Sequence, residues 1–374
     1  MTSFNRTRRQ ILQAAGASTL ASVSGGIVLG SSGIAAAQSV KTLRWGVVGT
    51  GGIANSMARM IKMADAAELS AVSSRRMETA NEFAATHEVS NAFDSWQEMI
   101  DSDVVDAIYV ATPTSVREEI CIAAANGGKH VLGEKPFASL PSVRRIVAAC
   151  RDNDVAFMDG THFVHHPRTL DIKQRHEELL GSVWSVASAF QFNLPDRGNI
   201  RFNTDLEPMG AIGDAGWYNM RAAVEYLPPG AVLKTASAHL RRDSETGAAI
   251  GGSGVLDFSD GSTSTWNCGF DSGAVVMDLR ITGTGGVINI DNFLSQNRDG
   301  SADFLYRKGG WGSGTSDEIN IPSEKPGAAL MFEDMAAAAA EASLRDQWIT
   351  ATERTQALLD AAWVAALQAE KAGA

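Results

Sequence analysis

The chain is poor in residues that could cross-link it or build a metal cage. It has three cysteines in 374 residues, Cys121, Cys150 and Cys268, with none of the paired spacings that mark zinc or redox motifs. No disulfide framework is implied. Cys121 and Cys150, set in apolar helical patterns, read as small buried hydrophobes. Basic charge is also scarce: 32 Lys and Arg face 43 Asp and Glu, a formal charge of −11. Nucleic acid and anionic membranes are bound through Lys/Arg clusters, so this balance excludes both and points to a small or neutral substrate. Internal repeats and linkers are lacking too. At this length the chain is large enough for two cores.

A run apolar enough to remain in a membrane is missing as well, even at the N-terminus. There Arg8-Arg9 precedes Gln10-Ile11-Leu12 and the mild stretch AAGASTLASVSGGIVLGSSGIAAA, which ends at Ala35-Ala36-Ala37 before Gln38. Its Gly and Ser content gives a weak drive for stable insertion. The small residues before Gln38 suit cleavage, and the whole resembles a twin-arginine export signal. Residues 1–37 are therefore expected to be removed, leaving a periplasmic protein that was folded before export.

Beyond Gln38 the chain carries a nucleotide-binding pattern. Leu43 to Val48 is a short apolar run suited to a strand buried on both faces, and Gly49-Thr50-Gly51-Gly52-Ile53-Ala54 fits G-x-G-x-x-A at the start of a helical pattern. Gly49 permits the tight turn, Gly51 lets a pyrophosphate approach the backbone, and Ala54 allows close helix–strand packing. The next strand ends in Ser73-Ser74-Arg75-Arg76. An NAD site usually offers an acid there for the ribose 2′-hydroxyl. Ser74 and two arginines instead suit the 2′-phosphate of NADP.

Further βα units imply a parallel sheet covered by helices, with ligand at the carboxyl ends of its strands. Ser95 to Glu98 forms a capping box. VVDAIYVATP, KHVLGEKP and VAFMD read as strands, and Ser115–Asn126 and Pro141–Arg151 as helices. Thr112-Pro113 and Glu134-Lys135-Pro136 fall at strand ends. The second half changes period. WSVASAFQFNL alternates, with Trp184, Val186, Phe190, Phe192 and Leu194 on one face. VLDFSDGSTSTWNCGF reads as a hairpin through Asp260-Gly261, and VVMDLRITGTGGVINI alternates again. A mostly antiparallel sheet is expected, followed by helices over 326–342 and 350–371, the second opened by a capping box at Thr350. The fold class is thus α/β: a Rossmann domain over 38–160, then an α+β substrate domain over 161–374 whose terminal helices can pack back on the first.

Taken together, Gly49 to Ala54, Ala111-Thr112-Pro113, Gly133-Glu134-Lys135-Pro136 and GAIGDAGWYNM at 210–220 resemble the Gfo/Idh/MocA family, and within it exported sugar oxidoreductases. The last stretch matches a D-x-G-x-Y helix with Asp214, Gly216 and Tyr218. The resemblance implies hydride transfer between a sugar carbon and NADP(H), with Thr112, Pro113, Glu134 and Lys135 helping to hold the cofactor. It also implies a homo-oligomer through the open sheet. Two stretches depart from the family. Thr114-Ser115-Val116-Arg117 replaces the usual N-x-x-H after Thr112-Pro113, and THFVHHPRTL replaces an aromatic-Arg-Phe-x-Pro pattern.

The chemistry needs a base for the sugar O–H proton. Tyr218 can serve if its pKa, normally about 10, is lowered by the neighbouring Lys135 ammonium. Asp214, four residues before Tyr218, either bonds a sugar hydroxyl, orients the tyrosine or caps a helix. His162, His165 and Arg168 are expected to line the sugar pocket, with His166 undecided between pocket and structure. Arg197 and Trp217 are weaker candidates. No metal is expected. An exported enzyme cannot readily acquire NADP(H) outside the cytoplasm, so the expected activity is a ping-pong cycle on a tightly bound cofactor: one aldose oxidised at C1 to a lactone, a second sugar reduced to an alditol. The alternatives are a conventional NADP-dependent sugar or dihydrodiol dehydrogenase with exchangeable cofactor, and a nicotinamide-dependent glycosidase.

Overall fold

The computed structural model describes residues 40–373, so the expected signal over 1–37 lies outside the described residues. Strands β1 (Leu43–Val48), β2 (Ala67–Ser73), β3 (Asn91–Phe93), β4 (Ala107–Val110), β5 (His130–Gly133) and β6 (Phe157–Asp159) form one sheet in the order 3-2-1-4-5-6. Every pairing in it is parallel. The strands are short and apolar because helices cover both faces: Trp45, Val47, Ile108 and Leu132 are fully buried. The order reverses between β1 and β4, which leaves a crevice at their carboxyl ends. Ser95 caps its helix as expected, accepting from the Glu98 N–H.

The second sheet has eight strands: β7 (Val183–Asn193), β8 (Leu233–Arg242), β9 (Ala249–Phe258), β10 (Thr263–Gly269), β11 (Asp271–Gly283), β12 (Val287–Ile290), β13 (Ala302–Lys308) and β14 (Thr315–Ile321). Their order is 14-13-12-11-7-10-9-8, antiparallel except where β7 meets β10. The chain leaves β7 and passes through a 3₁₀ turn (Ile200–Phe202) and the helices Gly210–Asp214 and Gly216–Tyr226 before returning as β8. The helix Gly216–Tyr226 packs on β7 and β10 and carries the expected active-site tyrosine. Three strands, β8, β13 and β14, are not legible in the sequence pattern. Along β8 and β14 most residues are partly or fully exposed, so apolar alternation is weak.

Two details correct the sequence reading. Trp184, at the start of β7, is exposed, unlike Val186 on the same face. The terminal helix spans Arg345–Gly373, so Thr350 is an interior residue and caps nothing. That helix docks on the first domain. Gln356 Oε1 accepts from the Phe137 N–H at 3.1 Å, and Asp360 accepts from the Leu140 N–H at 2.7 Å. Phe332, from the helix Gly327–Ala340, packs edge-on against Trp45 at 4.9 Å. The first core is therefore completed by the end of the chain.

A buried ionic node holds this junction. Arg221 donates to Asp159 at the end of β6 and to Glu225 one turn along its own helix, both at 2.7 Å. Asp159 also accepts from the Thr352 hydroxyl at 2.6 Å, and Lys173 pairs with Glu225. Although burial opposes ionisation, Lys173 and Arg221 push the Glu225 carboxyl down from 4.5 to about 2. A depressed carboxylate pKa stabilises the fold above the unfolded value, and the contribution is lost as pH falls. Glu225 should thus stabilise the fold fully above pH 4.5 and progressively less towards about pH 2. Arg221→Met leaves the buried Asp159 carboxylate without a cation and Glu225 with Lys173 alone, and should cost about 3–5 kcal/mol in urea unfolding at neutral pH. Unchanged stability would show that the node is dispensable.

Candidate active site

Gly49 adopts φ +104°, and a Cβ there would meet the Ala111 carbonyl at 3.0 Å. Glycine alone turns the chain there. Around Gly51 and Gly52 the reverse holds: nothing lies within 4 Å of where a Cβ would project, so their backbone faces open space. The helix Gly52–Met63 begins here with no acid in its first turn and no side-chain cap, so its N–H groups and dipole are available to an anion. Thr50 and Ile53 line this turn, and Ala54 is buried behind it. Asn55 fixes the loop, donating to the carbonyls of Thr50 and Gly51 at 3.0 Å, while His87 bonds the Asn55 Oδ1 at 2.8 Å. Neither residue belongs to the motif, and only the fold brings them together.

At the end of β2, Ser74 bonds Thr79 at 2.6 Å and Arg75 and Arg76 are exposed. Neither guanidinium forms an ion pair among the described residues. Across the crevice the Thr112 hydroxyl is buried with no hydrogen-bond partner among the described residues, and Pro113 ends the turn at the start of the helix Thr114–Asn126. The departure from the family pattern is explained here. Arg117 is buried and donates to the carbonyls of Thr112 and Pro136, tying the ends of β4 and β5 together. Glu207 accepts from the Thr114 N–H at 3.0 Å and its hydroxyl at 2.6 Å. These features fit a dinucleotide: an open glycine cradle, a free helix N-terminus, two unpaired cations and an orphaned hydroxyl.

Beside the cradle, Glu134 is buried and accepts from the Tyr109 hydroxyl. Lys135 donates to Asp214 Oδ1 at 2.6 Å and to the Asp214 carbonyl at 3.0 Å. Its Nζ lies 4.8 Å from the centre of the Tyr218 ring. Asp214 is therefore no helix cap. It ends the helix Gly210–Asp214 and is shared with Arg201, which donates from Nε at 2.7 Å and from Nη2 at 3.1 Å. The two cations hold the Asp214 carboxyl far below the usual carboxylate range.

Tyr218 itself differs from expectation. Burial, with the negative charges of Glu134 and Asp214, raises its pKa well above 10. The sequence predicts a phenol lowered by Lys135, but Asp214 takes up that ammonium. In this state the phenol is a firm proton donor. Its ring is framed by Phe190 at 5.5 Å, His162 at 5.7 Å and Phe163 at 6.4 Å. Burial and the Lys135 charge push His162 down to about 4, so it is a neutral hydrogen-bonding group at neutral pH.

The structure brings Lys135, Asp214, Tyr218 and His162 together and gives the side chains of the other pocket candidates partners of their own. His165 is buried, stacked on Trp348 at 4.6 Å and bonded to Asp334 at 2.6 Å. His166 bonds the Gly300 carbonyl at 2.9 Å. Arg168 is spent on the carbonyls of Asn292, Phe293 and Asp303. Trp217 is fully buried and donates to the Thr161 hydroxyl at 2.7 Å. Arg197 pairs with Asp243 at 2.9 Å and covers Phe202. All five side chains are engaged by neighbours within the fold. Sequence reasoning misses Arg201, Glu207, Asn55 and His87. No cluster of three metal-ligating side chains occurs among the described residues.

A glycine cradle beside a buried lysine–aspartate–tyrosine group defines a nicotinamide-dependent oxidoreductase. Residues 43–161 match the model of the oxidoreductase family with an NAD-binding Rossmann fold, Gfo/Idh/MocA. A dTDP-3,4-didehydro-2,6-dideoxy-α-D-glucose 3-reductase of Actinomadura kijaniata is 31% identical over 232 residues, 61% of this chain and 69% of the relative. An NADP⁺-dependent D-xylose 1-dehydrogenase of Haloferax volcanii is 31% identical over 62% of this chain and 70% of its own. The fold is shared with a 3-ketoreductase of A. kijaniata solved with NADP and TDP-benzene (TM-score 0.79, 24% identity, 87% of this chain and 98% of that one). It is shared also with an aldose-aldose oxidoreductase of Caulobacter crescentus (TM-score 0.78, 20% identity, 88% and 98%). The chain belongs to the Gfo/Idh/MocA oxidoreductase family.

The two exposed arginines make a specific prediction. Replacing Arg75 and Arg76 together by alanine should weaken NADP⁺ binding, followed by tryptophan fluorescence, by about tenfold or more, and leave NAD⁺ binding nearly unchanged. Equal loss for both dinucleotides would remove the 2′-phosphate role.

Proposed function

We propose that the chain is an NADP(H)-dependent oxidoreductase acting on sugar hydroxyl and carbonyl groups, with Tyr218 moving the proton. The observation that carries this reading is the buried Lys135, paired with Asp214 and with its Nζ 4.8 Å from the centre of the Tyr218 ring, at the carboxyl end of β5 and beside the glycine cradle. A bound nicotinamide supplies or accepts the hydride. In reduction, Tyr218 gives its phenolic proton to the carbonyl oxygen, and the Lys135 ammonium favours the charge developing there. In oxidation, the phenolate takes the proton from the sugar hydroxyl. Phe190 offers an aromatic edge and face suited to sugar C–H groups, and neutral His162 suits their hydroxyls. The relatives that reduce a dTDP-keto-sugar or oxidise D-xylose support this substrate class.

The sign of the pH dependence follows from the raised phenol pKa. The protonated form persists, so reduction should hold level across neutral pH and fall only at alkaline pH. Oxidation needs the phenolate, so its kcat/KM should climb about tenfold per pH unit from about pH 6 upwards. Tyr218→Phe should lower both directions by about 10²–10⁴-fold. A pH-independent oxidation retained in Tyr218→Phe would overturn the assignment.

The Arg8-Arg9 pattern favours a finer reading: export of the folded protein to the periplasm with NADP(H) already in place. A cofactor that stays bound must pass its hydride to a second substrate. The reaction is then a ping-pong cycle, one aldose oxidised at C1 to a lactone and a second sugar reduced to an alditol. Denaturing the purified mature protein and assaying the released NADP(H) tests it. Near one cofactor per chain agrees with the closed cycle. An empty protein that requires added NADP⁺ makes it a conventional dehydrogenase.

A further inference from the structure

The segment 194–209 links β7 to the helix Gly210–Asp214 and touches both domains at their chemical ends. At one point Glu207 holds the Thr114 N–H and hydroxyl, and the Leu206 carbonyl accepts from the Ser115 N–H at 3.2 Å. This contact is one residue beyond Thr112-Pro113, the wall of the cofactor crevice. At another, the segment places Arg201 on both oxygens of Asp214. The 3₁₀ turn that carries Arg201 is capped by Asn199, whose side-chain oxygen accepts from the Arg201 N–H at 3.1 Å. Arg201 is thus fixed at its backbone and at its head. Its side chain is 34% exposed, whereas Lys135 and Asp214 are 8% and 12% exposed.

We propose that Arg201 is a positioning residue for the acid–base centre: by occupying both oxygens of Asp214 it divides that carboxylate between two cations and holds Lys135 on a single oxygen, against the Tyr218 ring. The proposal rests on the sugar oxidoreductase reading above and assigns Arg201 no contact with the reacting atoms. Its chemical consequence is electrostatic. Tyr218 faces Lys135, Glu134 and Tyr109 from the first domain, His162 from the turn after β6, Asp159 at the end of β6, and Asp214 and Arg201 from its own side. Of these, Glu134, Asp214 and Asp159 hold the proton on the phenol, and Arg201 opposes them. Without Arg201, Asp214 presents a larger uncompensated charge to Tyr218 and binds the Lys135 ammonium alone. The phenol then becomes harder to ionise. A substrate-binding arginine would instead act through KM and leave the phenol unaffected.

The test compares Arg201→Met and Arg201→Lys with the wild-type full chain. Two quantities are read: the pH at which oxidation levels off, and the alkaline ultraviolet titration of Tyr218, taken as the difference between each protein and its Tyr218→Phe counterpart. Arg201→Met should move both upward by about one pH unit, which is about a tenfold lower oxidation rate at fixed neutral pH. Arg201→Lys, which keeps the charge but makes a single contact, should recover part of the shift. A rate loss confined to KM, with both pH values unchanged, would overturn the proposal, as would an equal shift in the lysine and methionine variants. Should Arg201→Met fold poorly, Arg201→Lys against wild type decides alone: a partial upward shift supports the proposal and none contradicts it. If wild-type protein shows no activity on any sugar, the functional reading fails, and the phenol titration still decides the role of Arg201.

Discussion

Asp214 is the carboxylate on which the working arrangement depends. It lies at the end of a helix in the second domain, yet its strongest partner is Lys135 at the edge of the first domain's parallel sheet. The contact pins the carboxyl end of β5, where a parallel sheet leaves its crevice, against the helix that bears Tyr218. Burial would ordinarily penalise a carboxylate there. Two cations overcome the penalty, and the result is a fixed charge where water would otherwise screen it. Nearby, the Asp159–Arg221–Glu225 node, balanced by Lys173, joins the same two regions. One ionic contact sets chemistry and the other sets position.

The electrostatics assign a resting state. Glu134 and Asp214 both face Tyr218, and burial adds to their effect, so the phenol keeps its proton in the free chain. Lys135 is drawn towards Asp214, so its ammonium does not by itself ionise the tyrosine. That division of labour explains why a lysine beside a tyrosine does not suffice to make a strong base. The carboxylate bound to the lysine decides how much of the ammonium the phenol feels.

Most of the first domain is legible in the sequence because parallel strands buried on both faces leave continuous apolar runs, as Leu43–Val48 does, and because the cofactor turn demands glycine where φ is positive. Lys135, Asp214 and Tyr218 are found through their motifs. Their partnership is not, since an ion pair between residues 79 positions apart leaves no local trace. Histidine and arginine are read by type, and type misleads. His165 and Arg168 resemble sugar ligands until the fold shows them engaged by Asp334 and by backbone carbonyls. Arg201 and Glu207 escape notice for the opposite reason: they lie in an irregular segment whose position only the assembled domains define. Strands β8 and β14 escape because neither buries a clean alternating face.

The most direct measurement is the alkaline titration of the Tyr218 phenol in Asp214→Asn, taken by ultraviolet difference against the same chain carrying Tyr218→Phe. Removing the carboxylate charge takes away a group that holds the proton and releases Lys135 and Arg201 to act on the ring. Ionisation is expected at a lower pH than in the parent chain. A phenol that ionises at the same or a higher pH would contradict the claim that Asp214 governs the proton on Tyr218.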